Sequence, residues 1–322
     1  MAKTETPSGG PSGVLVVDKA RGPTSHDVVG RARALLRTRE VGHAGTLDPM
    51  ATGVLVLGVR EGTKLLPYLT AHDKTYEARV VLGESTETLD AEGAVRTHEA
   101  VAPWLVDALA RLARVEGGAL PPGLVDALDA ERGRREQIPP AFSAIRKDGV
   151  RAHALARAGV EVALDPRPVR VHALEVTAGS VDPPTLSVRV TADKGYYVRS
   201  LGRDLALALG TVGHLSELRR VRSGPFGLGG AVALDPDAAR GVIDLATAAA
   251  LALPTARLDG AAVLQARRGQ RVALPEDAAQ GPCAWLDDAG ALVAIGERAP
   301  EGHGRVLRGF APPAISSAPP PP

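Results

Sequence analysis

The sequence predicts an α+β protein, a large mixed domain followed by a small β-rich one, on three observations. Runs that alternate with period two, clearest at Lys74-Thr75-Tyr76-Glu77-Ala78-Arg79-Val80-Val81-Leu82-Gly83, read as strands. Segments with apolar residues at helical spacing, such as 26–37 and 102–135, lie between such runs. Near Pro254 the pattern changes to short apolar runs separated by Gly, Pro and Asp. With 322 residues, 44% of them apolar, the chain can bury a large core.

The net charge is +1, so no global field announces a polyanionic partner. Lysine occurs only at Lys3, Lys19, Lys64, Lys74, Lys147 and Lys194, and arginine supplies the remaining basic groups. Cys283 is the only cysteine, which excludes an intrachain disulfide and a cysteine-rich metal site. No early apolar run follows a basic start, so no secretory signal is expected. The longest apolar stretch, around Leu245 to Leu253, falls short of the roughly 20 residues a membrane span needs. A soluble, cytoplasmic protein is the simplest expectation.

Residues 1–12 lack a hydrophobic period and read as a flexible tail. A strand begins at Gly13–Val17, with Asp18-Lys19 at its end. Arg21 to Ser25 forms a turn in which Thr24 or Ser25 can cap a helix at about 26–37. Arg31, Arg33, Arg37 and Arg39 on or just after that helix fit a solvated basic face better than a nucleic-acid contact. Next comes Gly42-His43-Ala44-Gly45-Thr46-Leu47-Asp48-Pro49, a turn-forming run holding one carboxylate between apolar Leu47 and Pro49. Asp before Pro favours a turn, so Asp48 alone is as well explained by geometry as by chemistry. A buried strand, 54–59, and a short helix, 63–69, follow. In the strand 74–83, Tyr76 shares a face with Ala78 and Val80, as a core tyrosine would.

Thr86 to Gly93 is a polar acidic loop, and 102–135 breaks at Gly117-Gly118 and Pro121-Pro122 into two short helices. The segment Gln137 to Arg146 is too rigid and apolar for a linker. Basic residues follow it at Lys147, Arg151, His153 and Arg157, an arrangement suited equally to a phosphate backbone or a plain surface helix. Strands are expected at 169–176 and 186–191, and a helix at 201–209. Tyr196, Tyr197 and Arg199 cluster at the strand-to-helix junction, where functional groups are often held on a rigid scaffold. Two tyrosines packing a sheet end is the alternative. A further strand to Val221 carries Arg219 and Arg220, with Arg222 just beyond, and the Pro-rich end, 311–322, reads as disordered.

Taken in order, GVLVVDKARGPTS, GHAGTLDPMATGVL, DKTYEARVVLG, QIPPAFSAIR, DKGYYVRSLGRDL and GHLSELRR resemble the bacterial tRNA pseudouridine-55 synthases, the TruB family, over nearly the whole ordered chain. The resemblance implies a pseudouridine synthase fold, with a mixed, largely antiparallel sheet and flanking helices, at 13–253. Residues 102–123 would be extra length, 254–311 a small β-barrel-like PUA domain that binds RNA, and 312–322 a tail. It also implies conversion of uridine 55 in the TΨC stem-loop of tRNA, by a monomer that needs no cofactor or metal. Asp48 matches the family's essential aspartate, Tyr76 the tyrosine that stacks on the target base, and Arg199 the arginine paired with the aspartate. Tyr197 matches the active-site tyrosine, Leu218 an apolar pocket residue, His43 the histidine that helps hold the refolded RNA loop, and Lys19 the lysine of the N-terminal segment. Ala20 stands where that segment usually has proline, Glu87 takes the first acidic place of the acidic loop, SAxK becomes Ser143-Ala144-Ile145-Arg146, and His153 replaces a usual tyrosine. None of these touches the Asp48–Tyr76–Arg199 set.

The implied reaction needs a carboxylate and no redox partner or group donor, which fits the lack of a dinucleotide fingerprint, P-loop or metal cluster. The base must leave the RNA stack, and an aromatic ring can receive it. Three other readings stay open. One is an RNA-binding protein with a degenerate site. Another is a hydrolase or glycosidase using Asp48 with Glu84 or Asp90. The third is a synthase with a different RNA target.

Overall fold

The computed structural model describes residues 10–114, 119–143, 145–147, 149–160, 162–274 and 278–311. Residues 1–9 of the expected 1–12 tail, the tail at 312–322, the Gly117-Gly118 break, Ala144, and the side chains of Arg146, Lys147, Arg151, His153 and Arg157 lie outside the described residues.

Nine strands form the central sheet: β1 (Gly13–Lys19), β2 (Val41–His43), β3 (Thr52–Val59), β4 (Lys74–Leu82), β5 (Val171–Val181), β6 (Pro184–Ala192), β7 (Gly213–Ser223), β8 (Phe226–Gly227) and β9 (Val242–Asp244). Their order is β5-β6-β4-β7-β3-β1-β9, with β2 added on β3 and β8 on β7. Pairing is antiparallel throughout except where β7 meets β3, Arg219 opposite Thr52 and Arg220 opposite Gly53. The fold is therefore α+β with a mixed, largely antiparallel sheet.

The helices are α1 (Ser25–Leu35), α2 (Leu66–Ala71), α3 (Pro103–Ala113), α4 (Pro122–Arg132), α5 (Ala152–Arg157), α6 (Val198–Ala208), α7 (Leu245–Ala252) and α8 (Gly260–Arg267). Thr24 caps α1 in a box with Asp27, leaving Ser25 free for another task. Strand alternation sorts the central strands into two cores. Leu15, Val17, Leu55 and Leu57 face one side, and Val14, Val16, Val54 and Val56 the other. Because β1 and β3 are covered on both faces, they read as continuous apolar runs. Helices α1, α3, α4 and α6 close the first face. Leu105, Leu109, Leu124 and Leu128 make α3 and α4 part of that main core. Helix α3, which falls in the stretch expected to be extra length, thus packs into the core through Leu105 and Leu109. At Gly179 of β5 a Cβ would stand 2.8 Å from the Leu109 carbonyl oxygen, so α3 can approach only a bare backbone.

The C-terminal strands β10 (Thr255–Arg257), β11 (Cys283–Leu286), β12 (Leu292–Arg298) and β13 (Gly304–Gly309) form a second sheet around buried Trp285. Among the described residues this sheet stays open and no closed barrel is found; the expected run at Val272 contributes only a bridge to Gly304. Helix α7 lies between the two sheets. Its Ala248 and Ala249 share one cluster with Val14 and Val56 on one side and Ala284 and Ile295 on the other.

The parallel junction depends on Gly53. Its φ is +99°, and a Cβ there would lie 2.2 Å from the Arg220 carbonyl oxygen. Gly53→Ala is expected to cost at least about 3 kcal/mol through left-handed strain and a backbone clash, a fall of roughly 5–10 °C in Tm. A thermal melt superimposable on the parent's would contradict this.

Candidate active site

The run Ala44 to Ala51 leaves β2 as an irregular turn whose backbone is pinned from four directions. Ser25 Oγ accepts from the Leu47 amide at 2.8 Å and donates to the Leu47 carbonyl at 3.0 Å. The Gly22 amide donates to the Pro49 carbonyl at 2.9 Å. Lys19 Nζ donates to the carbonyls of Ala51 (2.6 Å), Ala20 (3.1 Å) and Pro49 (3.2 Å). Arg220 donates through Nε to the Val54 carbonyl at 2.6 Å and through Nη2 to the Gly45 carbonyl at 3.1 Å. A backbone held this way fixes where Asp48 points.

Asp48 Oδ2 meets Arg199 Nε at 2.9 Å. The Nε–H is not aligned on the oxygen, so the contact is an ion pair rather than a linear hydrogen bond. Arg199 lies in the first turn of α6 and is 5% exposed. Its Nη1 donates to the Thr88 carbonyl and its Nη2 to the Phe142 carbonyl, both at 2.9 Å. Asp90 Oδ2 stands 3.6 Å from Nη1. The acidic loop holds Asp90 in turn: Thr88 Oγ1 donates to Oδ1 at 2.6 Å, as does the Glu92 amide at 3.0 Å. The α6 junction is fixed from outside, because Gln137 bonds both the amide (2.8 Å) and the carbonyl (3.2 Å) of Tyr197.

Asp48, Tyr76, Tyr197, Arg199 and Leu218 line one cavity of about 270 Å³. Tyr76 and Leu218 come from the adjacent strands β4 and β7, with Leu218 opposite Ala78 in register. Burial raises the Tyr197 hydroxyl's pKa above its ordinary value, and Arg167 and Arg199 oppose that shift. Among the described residues Asp48 is the only carboxylate in the cavity. Glu84 lies instead by His98 and His214, and Asp90 faces Arg199 from outside the cavity, so among the described residues the paired-acid glycosidase reading finds no second acid lining it. A larger hollow of about 570 Å³ lies along the open sheet face, but its Glu77, Arg79, Arg189 and Glu217 pair with one another.

Two expected site residues lie outside the cavity. Lys19 is 1% exposed and sits beneath the turn, its charge facing carbonyls rather than solvent. Burial lowers its pKa, and Asp48 works against that shift. His43, at the end of β2, has a half-buried ring whose Nδ1 finds no partner; burial, then Arg220 and His26, lower its pKa. Arg220, Ser25 and Gln137 shape the site without having been singled out for it, and Asp90, weighed only as a second acid for Asp48, instead faces Arg199. The signal available was weak: Asp90 stood out as part of an acidic loop and as a possible second acid, and Arg220 as one of three nearby arginines. Lys19→Met is expected to cost about 2–3 kcal/mol, because the Ala51 carbonyl loses its buried donor. Urea denaturation would measure it, and an unchanged midpoint would remove Lys19 from the turn's support.

By fold, the chain is similar to chains solved in two larger assemblies. It aligns with a chain of a Cbf5-Nop10-Gar1 complex at TM-score 0.66 and 23% identity, over 95% of this chain and 90% of that one. A chain of an H/ACA RNP bound to a substrate RNA containing 2'-deoxyuridine aligns at TM-score 0.64 and 24% identity, over 93% and 85%. The model of the TruB family pseudouridylate synthase N-terminal domain matches residues 33–198, and that of the tRNA pseudouridylate synthase B C-terminal domain matches 199–236. A tRNA pseudouridine synthase B of Arthrobacter sp. (strain FB24) is 43% identical over 88% of this chain and 92% of its own length. That of Thermobifida fusca (strain YX) is 42% identical over 88% and 94%. The chain belongs to the TruB family of pseudouridylate synthases and is an enzyme of that class.

Proposed function

We propose that this enzyme converts uridine 55 in the TΨC stem-loop of tRNA to pseudouridine, in the cytoplasm, with Asp48 as its essential carboxylate. One observation carries the reading: the cavity's only carboxylate among the described residues shares a hollow of about 270 Å³ with buried Arg199 and with Tyr76, Tyr197 and Leu218. That volume suits one pyrimidine taken out of the stack.

The reaction breaks the C1′–N1 bond, turns the uracil, and joins C1′ to C5. The proton lost from C5 balances the one gained at N1, so no external reagent is consumed. Asp48 meets the cationic sugar, or adds to substrate, as the bond breaks. Arg199 holds the carboxylate in place, and Tyr76 receives the base by stacking and is the candidate to take the C5 proton. Tyr197 and Leu218 wall the turned base. His43, beside the turn, meets the refolded RNA loop, and the 254–311 unit serves as a PUA-like RNA-binding module.

Incubation of the purified protein with an unmodified TΨC stem-loop, without metal or cofactor, tests this; carbodiimide labelling maps the product. Pseudouridine at position 55 is the expected result. Product on ribosomal RNA and none on the stem-loop would move the target elsewhere.

A further inference from the structure

Two buried cations line the Asp48 cavity with no carboxylate against them. Lys74, at the start of β4, is 5% exposed and donates to the carbonyls of Thr70 (2.8 Å) and His72 (2.5 Å). Arg220 is 1% exposed and meets the carbonyls of Val54 and Gly45 described above and, through Nη1 at 3.5 Å, that of Thr46. Among the described residues neither has a carboxylate within ion-pair distance. An ammonium has three N–H donors and a guanidinium five, so both keep donors these carbonyls leave unused. Gly45 puts no side chain beside them: its φ is +98°, and a Cβ there would lie in contact, 3.6 Å from both Arg220 Nη1 and Lys74 Cε. Lys194, exposed on the loop before α6, lines the same cavity.

The single carboxylate, Asp48, is already matched by Arg199, so the cavity holds surplus positive charge. Burying unpaired charge is costly, and a fold that retains it at a ligand cavity is built for an anion. The strain is visible in Lys74. Burial and then Arg220 bring its pKa down to about 8; Lys194 acts the same way, and Asp73 and Asp193 oppose. A neutral uracil does not answer this charge. A phosphodiester does.

We propose that Lys74, Arg220 and Lys194 form a phosphodiester-binding subsite, seating a backbone phosphate that adjoins the nucleotide whose base enters the Asp48 cavity. The subsite rests on the RNA reading above, and it deepens that reading by naming what anchors the flipped nucleotide. Because the protonated amine does the binding, affinity falls as pH rises through about 8, the free-protein value for Lys74.

The test is fluorescence anisotropy with the full chain and three unmodified stem-loops: the parent, and two with a neutral methylphosphonate at the phosphate 5′ or 3′ of the target uridine. One of the two is expected to bind about tenfold more weakly and to lose the pH dependence near 8. Lys74→Gln should weaken the parent RNA by a similar factor and add nothing on that substituted RNA, while Lys74→Arg recovers most of the affinity. Equal binding of all three RNAs by the unaltered protein, or an equal loss on all three in Lys74→Gln, would overturn the subsite. Should Lys74→Gln melt early, the comparison of RNAs across pH decides alone. Binding with the expected ratios but no pseudouridine would leave the subsite standing and sink the assigned reaction. No binding of the parent RNA would sink both.

Discussion

Asp48→Asn is expected to lower turnover by at least about four orders of magnitude and shift Tm by less than about 3 °C. The amide has the shape of the carboxylate but can neither form an ester bond nor balance a cationic sugar. The fold should hold because the Asp48 side chain is 36% exposed and the turn beneath it is pinned through its backbone by Ser25, Gly22, Lys19 and Arg220. Arg199 keeps the Thr88 and Phe142 carbonyls and Asp90 when the charge at 48 is lost. Carbodiimide mapping under single-turnover conditions gives the rate, and a thermal melt gives the fold. Turnover within tenfold of the parent would remove Asp48 from the mechanism.

Arg199→Met should act on stability and rate together. The methionine fills much of the volume but leaves the Thr88 and Phe142 carbonyls without a donor and buried Asp90 without its cation. Breaking such a buried network costs about 3–5 kcal/mol, visible in urea denaturation. The rate should fall by about two to three orders of magnitude, since Asp48 loses the partner that orients it. Arg199→Lys restores the charge but not a fork that reaches both carbonyls, so it should recover stability only in part. A methionine variant as stable as the parent would mean that the 86–93 and 137–143 loops are held by something else.

What was legible in the sequence follows from range. The strand 74–82 declares itself by period two, and the two helices of 102–135 by their apolar spacing and proline breaks. The residues gathered in the cavity lie in motifs long enough to compare with a family. What stayed hidden depends on partners far along the chain. Lys19 matched a family lysine, but nothing local shows that its ammonium would reach Ala51 rather than substrate. Arg219, Arg220 and Arg222 look alike in a row. Only the folded sheet turns Arg219 toward Asp18 and Arg222 toward Asp73, leaving Arg220 to the turn that holds Asp48. Asp90 is one acid in a polar loop until α6 brings Arg199 to it. Short β2 and β9 carry no periodic signal, and they exist because neighbouring strands offer free edges. The barrel-like form of the C-terminal unit was an expectation of likeness rather than of local pattern.

Helix α7 gives the molecule a particular way of coming apart. Alanine-rich and eight residues long, it has little to hold it except the layers on either side. If the C-terminal sheet peeled away, the helix would lose one wall, and the strands β1 and β9 beneath it would meet water. The two halves therefore protect each other's amides from exchange. Unfolding should proceed as one cooperative event, and a chain cut after residue 253 would inherit an exposed seam rather than a finished surface.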